Sequence, residues 1–428
     1  MRIIEFSAMD TSGAGIAAIR YHHLLQSMGH NCTLYVSSKH QNDPSIIELS
    51  DKKPKRQQFK KMLKEKLRRL TWLKRLYRRM FPVNNYISAL NTYCYYNYDE
   101  LRTKPNEYIF SKVDIYSIDV IFIYWLGNFL NTTDIKYLYE KTGARVIFSM
   151  MDMEPISGGC HYFWECKNYQ TNCFNCPALP YEKQEFSHLQ LQKRAQNTAY
   201  INAEIFSSSL YDIQAAKSSI INFKEYWQLY YSIDENIFYP SDRKQNNEKI
   251  YLFSNADEIN NPRKGFWLLL QILFYLDRNL SNIQIVFLCL DKSIFNDYKF
   301  KNIKFEEFVF CSNVDELADI YRRADIFLCT SIEDAAPMML AEALMCGLPT
   351  VAFDIGTAKQ FIEDEIDGYV VNKYDTIGFA GKVVKLIQQR VSILSFSNKE
   401  RIHKKMVSLY GIKAVKERVD LILKSEIN

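Results

Sequence analysis

DIFLCTSIEDAAPMMLAEALMCGLPTVAFDIG, residues 325–356, is the stretch whose reading decides the fold. IFLCT is a short apolar run of buried-strand length, and PMMLAEALM carries helix formers, with Pro337 at the first helical position and Gly347 as the stop. Pro349 then opens a second apolar run, TVAFDI, ending at Gly356. Strand, acidic loop, helix and strand in this order predict neighbouring parallel strands whose carboxyl ends share one rim, the place where such sheets bind ligands. The helix start offers backbone N–H groups and the positive end of a dipole, which suits a diphosphate. Glu342, on the helix, can accept hydrogen bonds from ribose-like hydroxyls. Acids near helix starts are common, so the same residues also read as a solvated loop capping a core helix.

Working outward, NNPRKGFWLLLQIL places Arg263, Lys264 and Gly265 before an amphipathic helix. A lysine at such an entry, facing an acidic strand-end site, can neutralise a diphosphate, with Arg263 a second candidate. A charged helix entry without a ligand is the alternative. NIQIVFLCL completes the approach to the central motif. Beyond Gly356, KQFIEDEIDGYVV and TIGFAGKVVKLIQQR read as closing helices, followed by GIKAVKERVDLILKSEI.

The amino-terminal half repeats the alternation. RIIEF reads as a strand, SAMDTSGAG as a loop, IAAIRYHHLLQSMG as a helix, and CTLYV as a second strand. Gly13 and Gly15 do not complete G-x-G-x-x-G, but they allow backbone N–H groups to approach a ligand closely; a plain tight turn is the other reading. DVIFIYWL, TTDIKYLYEKTG and ARVIFSM continue the pattern. AEIFSSSLYDIQAAKSS adds a strand, a serine-rich turn and a helix, and SDRKQNNEK is a polar linker before a new strand, IYLFS.

The chain has 428 residues, 47% hydrophobic, which excludes wholesale disorder and allows two domains. It contains no apolar run of 18 residues, and MRIIEFSAMD lacks the layout of a signal peptide, so a cytoplasmic protein is expected. The net charge of +5 is uneven: residues 51–80 hold 14 Lys and Arg against Asp51 and Glu65, a local +12, leaving −7 for the remainder. Within that stretch Phe59, Leu63, Leu67, Leu70, Leu73, Leu76, Tyr77 and Met80 recur at three- and four-residue spacing, a basic amphipathic pattern with Trp72 beside it. It suits the headgroup region of an anionic leaflet, which predicts peripheral association with a membrane's inner face through residues 52–80. A helix packed on the protein with solvated charges, or an RNA-binding segment, is also compatible.

The loop MDMEPISGGCHYFWECKNYQTNCFNCPAL follows ARVIFSM. Cys160, Cys166, Cys173 and Cys176 have five, six and two residues between them, ending in a C-x-x-C knuckle. A short polar lobe has little core, and four thiolates on a zinc ion would give it one. Reduced, unliganded thiols or disulfides are the alternatives, the last disfavoured in a cytosolic chain. A closed four-thiolate site leaves no open position and would be architectural.

The acid at the loop, the acid eight positions later, and AL-x-CG-x-P-x-V-A-F-D-x-G resemble the nucleotide-sugar site of retaining GT-B glycosyltransferases, family four. The loop MDMEPISGGCHY is similar to one found in some of these enzymes, keeping Asp152, Pro155, Gly158, Gly159, Cys160, His161 and Tyr162. YSIDENIFYP resembles the family's end of the first domain. The resemblance implies an α/β GT-B fold of two doubly wound Rossmann-like domains facing across a cleft. Residues 1–240 would form an acceptor-side domain, with the basic insertion at about 51–82 and the Cys-rich loop at 151–180. Residues 241–404 would bind the nucleotide sugar, and 405–428 would cross back to the first domain.

The resemblance assigns Glu342 to the donor ribose, and to Asp334 by spacing, or to Glu333 beside it, the contact with the transferred sugar. Lys264 matches the family lysine on the diphosphate. The arginine usually found five residues earlier is Ile259 here, leaving Arg263 as the nearby guanidinium. Gly13 and Gly15 would face the donor phosphates or acceptor, and Ala335 and Ala336 would lie at the donor-facing helix start. The histidine that approaches the sugar in related enzymes is Met151 here; His161 would substitute for it, ligate or pack. The implied activity is retaining sugar transfer from a nucleotide donor to a saccharide acceptor, with a lipid-linked precursor of a bacterial envelope polysaccharide suggested by the basic stretch. No catalytic metal and no nucleic-acid partner are expected. A non-catalytic GT-B protein, a nucleotide-sugar epimerase and a nucleic-acid binder are the competing classes.

Overall fold

Apolar runs too continuous for a one-sided sheet become strands buried on both faces, as parallel sheets require. The computed structural model describes residues 1–49, 92–95, 100–243, 248–254, 261–308 and 313–425. The basic stretch 51–82 and Ile259 lie outside these described residues. Contacts divide the chain into one unit of Met1–Phe206 with Ala215–Tyr226, and another of Ser207–Gln214 with Trp227–Asn428.

The first sheet contains β1 (Arg2–Met9), β2 (Asn31–Ser38), β3 (Ile46–Glu48), β4 (Val120–Ile123), β5 (Arg145–Ser149), β6 (Glu204–Ser207) and β7 (Tyr226–Gln228). Its order is β3-β2-β1-β4-β5-β6-β7, and the pairs from β3 through β6 are parallel. Its connecting helices include α1 (Ser12–Ser27), α2 (Thr132–Thr142), α3 (Gln184–Ile201) and α4 (Leu210–Ser218). At the start of α2, Asn131 and Asp134 cap each other's backbone N–H groups, and Gly143 ends the helix in the left-handed conformation.

The second sheet runs β10-β9-β8-β11-β12-β13 and is parallel throughout. Its strands are β8 (Lys249–Ser254), β9 (Gln284–Cys289), β10 (Ile303–Glu307), β11 (Ile326–Cys329), β12 (Thr350–Phe353) and β13 (Gly368–Val371). Here lie α5 (Phe266–Asn279), α6 (Val314–Arg323), α7 (Met338–Met345), α8 (Thr376–Gln388), α9 (Phe396–Tyr410) and α10 (Ile412–Lys424). Every residue of β11 and β12 is buried, and α6 carries Asp315 and Glu316 in its first turn and Arg322 and Arg323 in its last, matching its dipole. Strand order reverses between β8 and β11, so their following loops emerge side by side at a switch point.

Three local expectations change. Helix α1 begins at Ser12, so Gly13 and Gly15 belong to its first turn rather than to a preceding loop. Pro337 is the residue before α7, with ψ of 106°, because its extended backbone is still part of the acidic loop. Residues 359–371 form no helix beyond a short turn, Ala358–Phe361, and end in the edge strand β13, where Tyr369, Val370 and Val371 favour a pleated surface. Residues 227–240 and α10, which the sequence assigned to the first domain or to a return crossing, group with the second unit. Ile233 N–H donates to the Tyr410 carbonyl at 2.8 Å, the Tyr230 and Tyr410 rings stand 4.8 Å apart, and the Arg418 guanidinium lies 4.8 Å from the Tyr230 ring centre.

Gly368 opens β13 at φ +145° opposite Thr350, and a Cβ there would stand 1.8 Å from the Thr350 carbonyl oxygen. Gly368→Ala is therefore expected to cost at least about 2 kcal/mol through strain and a displaced edge strand. A thermal melt should fall by roughly 4–8 °C; an unchanged Tm would remove the close approach.

Candidate functional site

Two loops meet at the switch point through their backbones. After β8 the chain forms a tight turn at Pro262–Lys264 and enters α5 through Gly265 at φ +71°. A Cβ on Gly265 would lie 2.0 Å from the Thr330 carbonyl oxygen, so only glycine lets the loop after β8 reach the end of β11. Ile332 N–H donates to the Arg263 carbonyl at 2.8 Å, and Thr330 Oγ1 donates to the Lys264 carbonyl at 3.1 Å. Gly356, at φ +46° beyond β12, presses on the acidic loop from another side, where a Cβ would stand 2.4 Å from the Ala335 carbonyl oxygen.

This framework puts Lys264 Nζ 2.8 Å from Asp334 Oδ2. Arg263 donates through Nη1 to the Glu333 carbonyl at 3.1 Å, with that nitrogen 4.0 Å from Asp334 Oδ2. Glu333 instead has Lys373, beyond β13, with Nζ 3.8 Å from Oε2. The adjacent acids thus answer to different cations. Burial opposes charge on Asp334, but the Lys264 ammonium, the Arg263 guanidinium and hydrogen bonds from Lys264 and the Ala335 N–H outweigh it and hold the carboxyl below its ordinary value. Asp334 is an ionised hydrogen-bond acceptor at neutral pH.

Glu342 sits on α7, 4% exposed, and Oε2 accepts a bond from the Tyr321 hydroxyl on α6 at 3.0 Å. Ala335 is buried and Ala336 half-buried at the approach to α7. The second unit therefore brings together Arg263, Lys264, Glu333, Asp334, Ala335 and Ala336, with Glu342 on the helix that follows.

The other sequence candidates belong to the first unit. A Cβ on Gly15 would meet the Asp10 carbonyl carbon at 2.7 Å, so this glycine lets α1 start against the end of β1; Gly13 has open space. His161 is buried, with Nδ1 2.7 Å from Asp152 Oδ2 and 3.0 Å from the Trp125 indole nitrogen, inside the lobe that follows β5. Cys160, Cys166, Cys173 and Cys176 line one cavity in that lobe, all as free thiols.

Sequence reasoning missed Asp212, Lys373 and Tyr321. Lys373 had a usable signal, a lysine just past a β-branched strand end. Asp212 had none, because its neighbours come from distant sequence. It is fully buried on α4, Ser207 Oγ donates to its Oδ2 at 2.9 Å, and among the described residues Oδ1 has no hydrogen-bond partner. Burial first, then the charges of Asp334 and Glu333, push its carboxyl well above the usual value despite the serines.

Residues 251–389 match a family described as "Glycosyl transferases group 1". Among curated relatives, N-acetyl-alpha-D-glucosaminyl L-malate synthase of Bacillus anthracis is 28% identical over 89 residues, 21% of this chain and 23% of that one. UDP-Gal:alpha-D-GlcNAc-diphosphoundecaprenol alpha-1,3-galactosyltransferase of Escherichia coli is 21% identical over 160 residues, 36% of this chain and 41% of that one. The chain thus spans less than half the length of either. Anabaena Alr3699/HepE, solved in complex with UDP-glucose, superposes with a TM-score of 0.61 at 12% identity, covering 99% of this chain and 100% of that one. The fold is GT-B, two parallel-sheet Rossmann-like domains over nearly the whole chain.

Asp212 supplies a pH signature. Between the ordinary carboxylate value of 3.8 and its raised folded value, the folded state binds the extra proton, so stability falls as pH rises through that window. Asp212→Asn removes this loss while keeping an oxygen for Ser207. The variant's Tm relative to the parent should change little below pH 4 and rise towards pH 8. A difference independent of pH would refute a neutral Asp212.

Proposed function

We propose that this protein is a retaining glycosyltransferase that moves a sugar from a nucleotide-sugar donor to a saccharide acceptor. The observation that carries the reading is the Lys264 and Asp334 pair, 2.8 Å apart and flanked by Arg263, at the ends of β8 and β11. Switch points are where doubly wound sheets take phosphates, and this one presents two fixed cations beside an ionised acid. The match of residues 251–389 covers this site, and the sequence resemblance supports retention of configuration.

In this reading the bond between the anomeric carbon and the diphosphate oxygen breaks, a bond from that carbon to an acceptor hydroxyl oxygen forms, the hydroxyl proton passes to the departing diphosphate, and negative charge grows on the diphosphate as it leaves. Lys264 and Arg263 meet that charge with groups already in place, and the N–H groups at the start of α7 add to them. Asp334, held ionised, accepts bonds from sugar hydroxyls and orients the ring; Glu333, paired with Lys373, borders the same loop. Glu342, steadied by Tyr321, accepts the ribose hydroxyls. UDP-hexoses are the first donors to try, given the UDP-glucose complex of the Anabaena protein and the UDP-Gal named for the Escherichia coli relative.

The test is released nucleotide from a panel of UDP- and GDP-sugars, with and without membrane lipid extract, for the parent, Lys264→Ala and Glu342→Ala. One donor class should turn over with lipid stimulation, falling about 100-fold or more in Lys264→Ala. Tight nucleotide binding without release under any acceptor condition would favour a non-catalytic GT-B protein, with Met151 in the histidine's place as its sequence correlate.

We infer the lipid-linked acceptor from the basic composition of 52–80 and the diphosphoundecaprenol named for the Escherichia coli relative. Among the described residues no helix is long and apolar enough to cross a membrane. Neutralising the Lys and Arg of 52–79 should abolish binding to anionic vesicles at low salt; unchanged binding would remove this part of the proposal.

A further inference from the structure

The lobe after β5 lacks a strand or long helix of its own. Residues 151–183 contain only the short 3-10 turns Glu154–Ile156, Asn168–Gln170 and Tyr181–Lys183, and the packed cluster beneath them consists of Tyr95, Cys176, Ala178 and Leu179 with Tyr93, Cys160 and Phe186 against it. Four cysteines spread between positions 160 and 176 nonetheless line one cavity, with Tyr169 and Ser187 among its other walls. None is in a disulfide.

The backbone is shaped to make them converge. Cys173 and Asn175 adopt φ of 51° and 54°, left-handed values that turn the chain back within C-x-x-C and bring Cys173 and Cys176 to the same wall. The N–H groups of Ala178 and Leu179 are aimed at the Cys176 sulfur, and that of Gly158 at the Cys173 sulfur. N–H donors directed at sulfur are the outer-shell contacts that orient a metal-bound ligand. Gly158 is itself required, since a Cβ there would stand 2.4 Å from the Ser187 carbonyl oxygen.

We propose that Cys160, Cys166, Cys173 and Cys176 bind one Zn²⁺ as a closed four-thiolate site that gives this lobe its core. As the side chains stand, no three His, Cys, Asp or Glu residues among those described are grouped to hold an ion, although all four cysteines line the one cavity. Zinc–sulfur bonds of about 2.3 Å would draw them inward. Four S–H protons are displaced as four Zn–S bonds form, leaving a site charge of −2, and no electron is transferred. Sulfur ligands alone select zinc or an iron–sulfur centre over hard cations. A closed shell leaves no position for substrate, so the ion is architectural. His161 stays outside it, its Nδ1 engaged by Asp152 and Trp125.

The experiment is elemental analysis of the tag-free, full-length protein purified without chelator, with a mercurial thiol reagent used to release metal to a chromogenic indicator. About one zinc per chain is expected, released in step with modification of four thiols. Cobalt replacement should give the strong sulfur-to-cobalt charge-transfer absorption and intense visible bands of a tetrahedral thiolate site. The Cys173→Ser, Cys176→Ser double variant should lose at least four-fifths of the metal, and because that variant can fail to fold, the metal content and cobalt spectrum of the parent decide the question. Folded parent protein with under a tenth of an equivalent of zinc, or with iron and acid-labile sulfide instead, would overturn the assignment. These readouts are independent of sugar transfer, so the zinc site and the proposed activity stand or fall separately.

Discussion

The charge arrangement of the second unit rests on a single backbone contact, the approach of Gly265 to the Thr330 carbonyl. With any side chain at 265 the loop after β8 would stand off from the end of β11, and the hydrogen bonds from Ile332 to Arg263 and from Thr330 to Lys264 would open with it. Those bonds set the height at which Lys264 leaves the backbone. A flexible four-carbon side chain then needs little further ordering to reach Asp334. Gly356 acts similarly from the end of β12, so three loops are fixed by main-chain geometry before any side chain is counted. Groups held this way lose less on meeting a ligand than groups ordered only on contact.

Topology explains why these loops can meet. Arg263 and Asp334 are 71 positions apart, yet β8 and β11 are hydrogen-bonded neighbours because the chain builds outward through β9 and β10, then returns to start the other side. Every parallel strand delivers its following loop to the same edge, and the reversal of strand order brings the loops after β8 and β11 side by side there. Arg263 and Lys264 come from the first of these loops and Asp334 from the second.

Much of this was legible in sequence because the signals are local. Two buried strands, a helix between them and a glycine stop can be read from residues 325–356, and the K-G pair before α5 announces a cation at a helix entry. Failures occurred where local signals were ambiguous or tertiary. Pro337 fits both a first helical turn and the extended residue before it. EDEIDGYVV is charged enough to suggest a helix surface, but Gly368 must pass against Thr350, which makes it an edge strand. The environment of Asp212 depends on a segment that is sequential with the first sheet but packs with the second unit, a fact no window of sequence contains.

The two adjacent acids, indistinguishable by spacing alone, differ in what they can do. Asp334 is shorter, and its carboxylate is drawn towards Lys264 and Arg263; Glu333 reaches the other way to Lys373. Three cations, Lys264, Arg263 and Lys373, face the carboxylates of Asp334 and Glu333, a local net of +1, and the raised pKa of Asp212 disfavours a third negative charge beside them. A third ionised acid would cancel that charge and oppose an anion's approach. Burial of Asp212 therefore bears on the site electrically, although it lies on a helix remote from it in sequence. When an anion arrives, Lys264 must share its charge with Asp334, and Arg263, already within 4.0 Å of the same oxygen, limits what Asp334 loses. On the proposed reading, the acid then remains ionised and serves as an acceptor while the lysine turns to phosphate, a division of labour that one cation alone could not sustain.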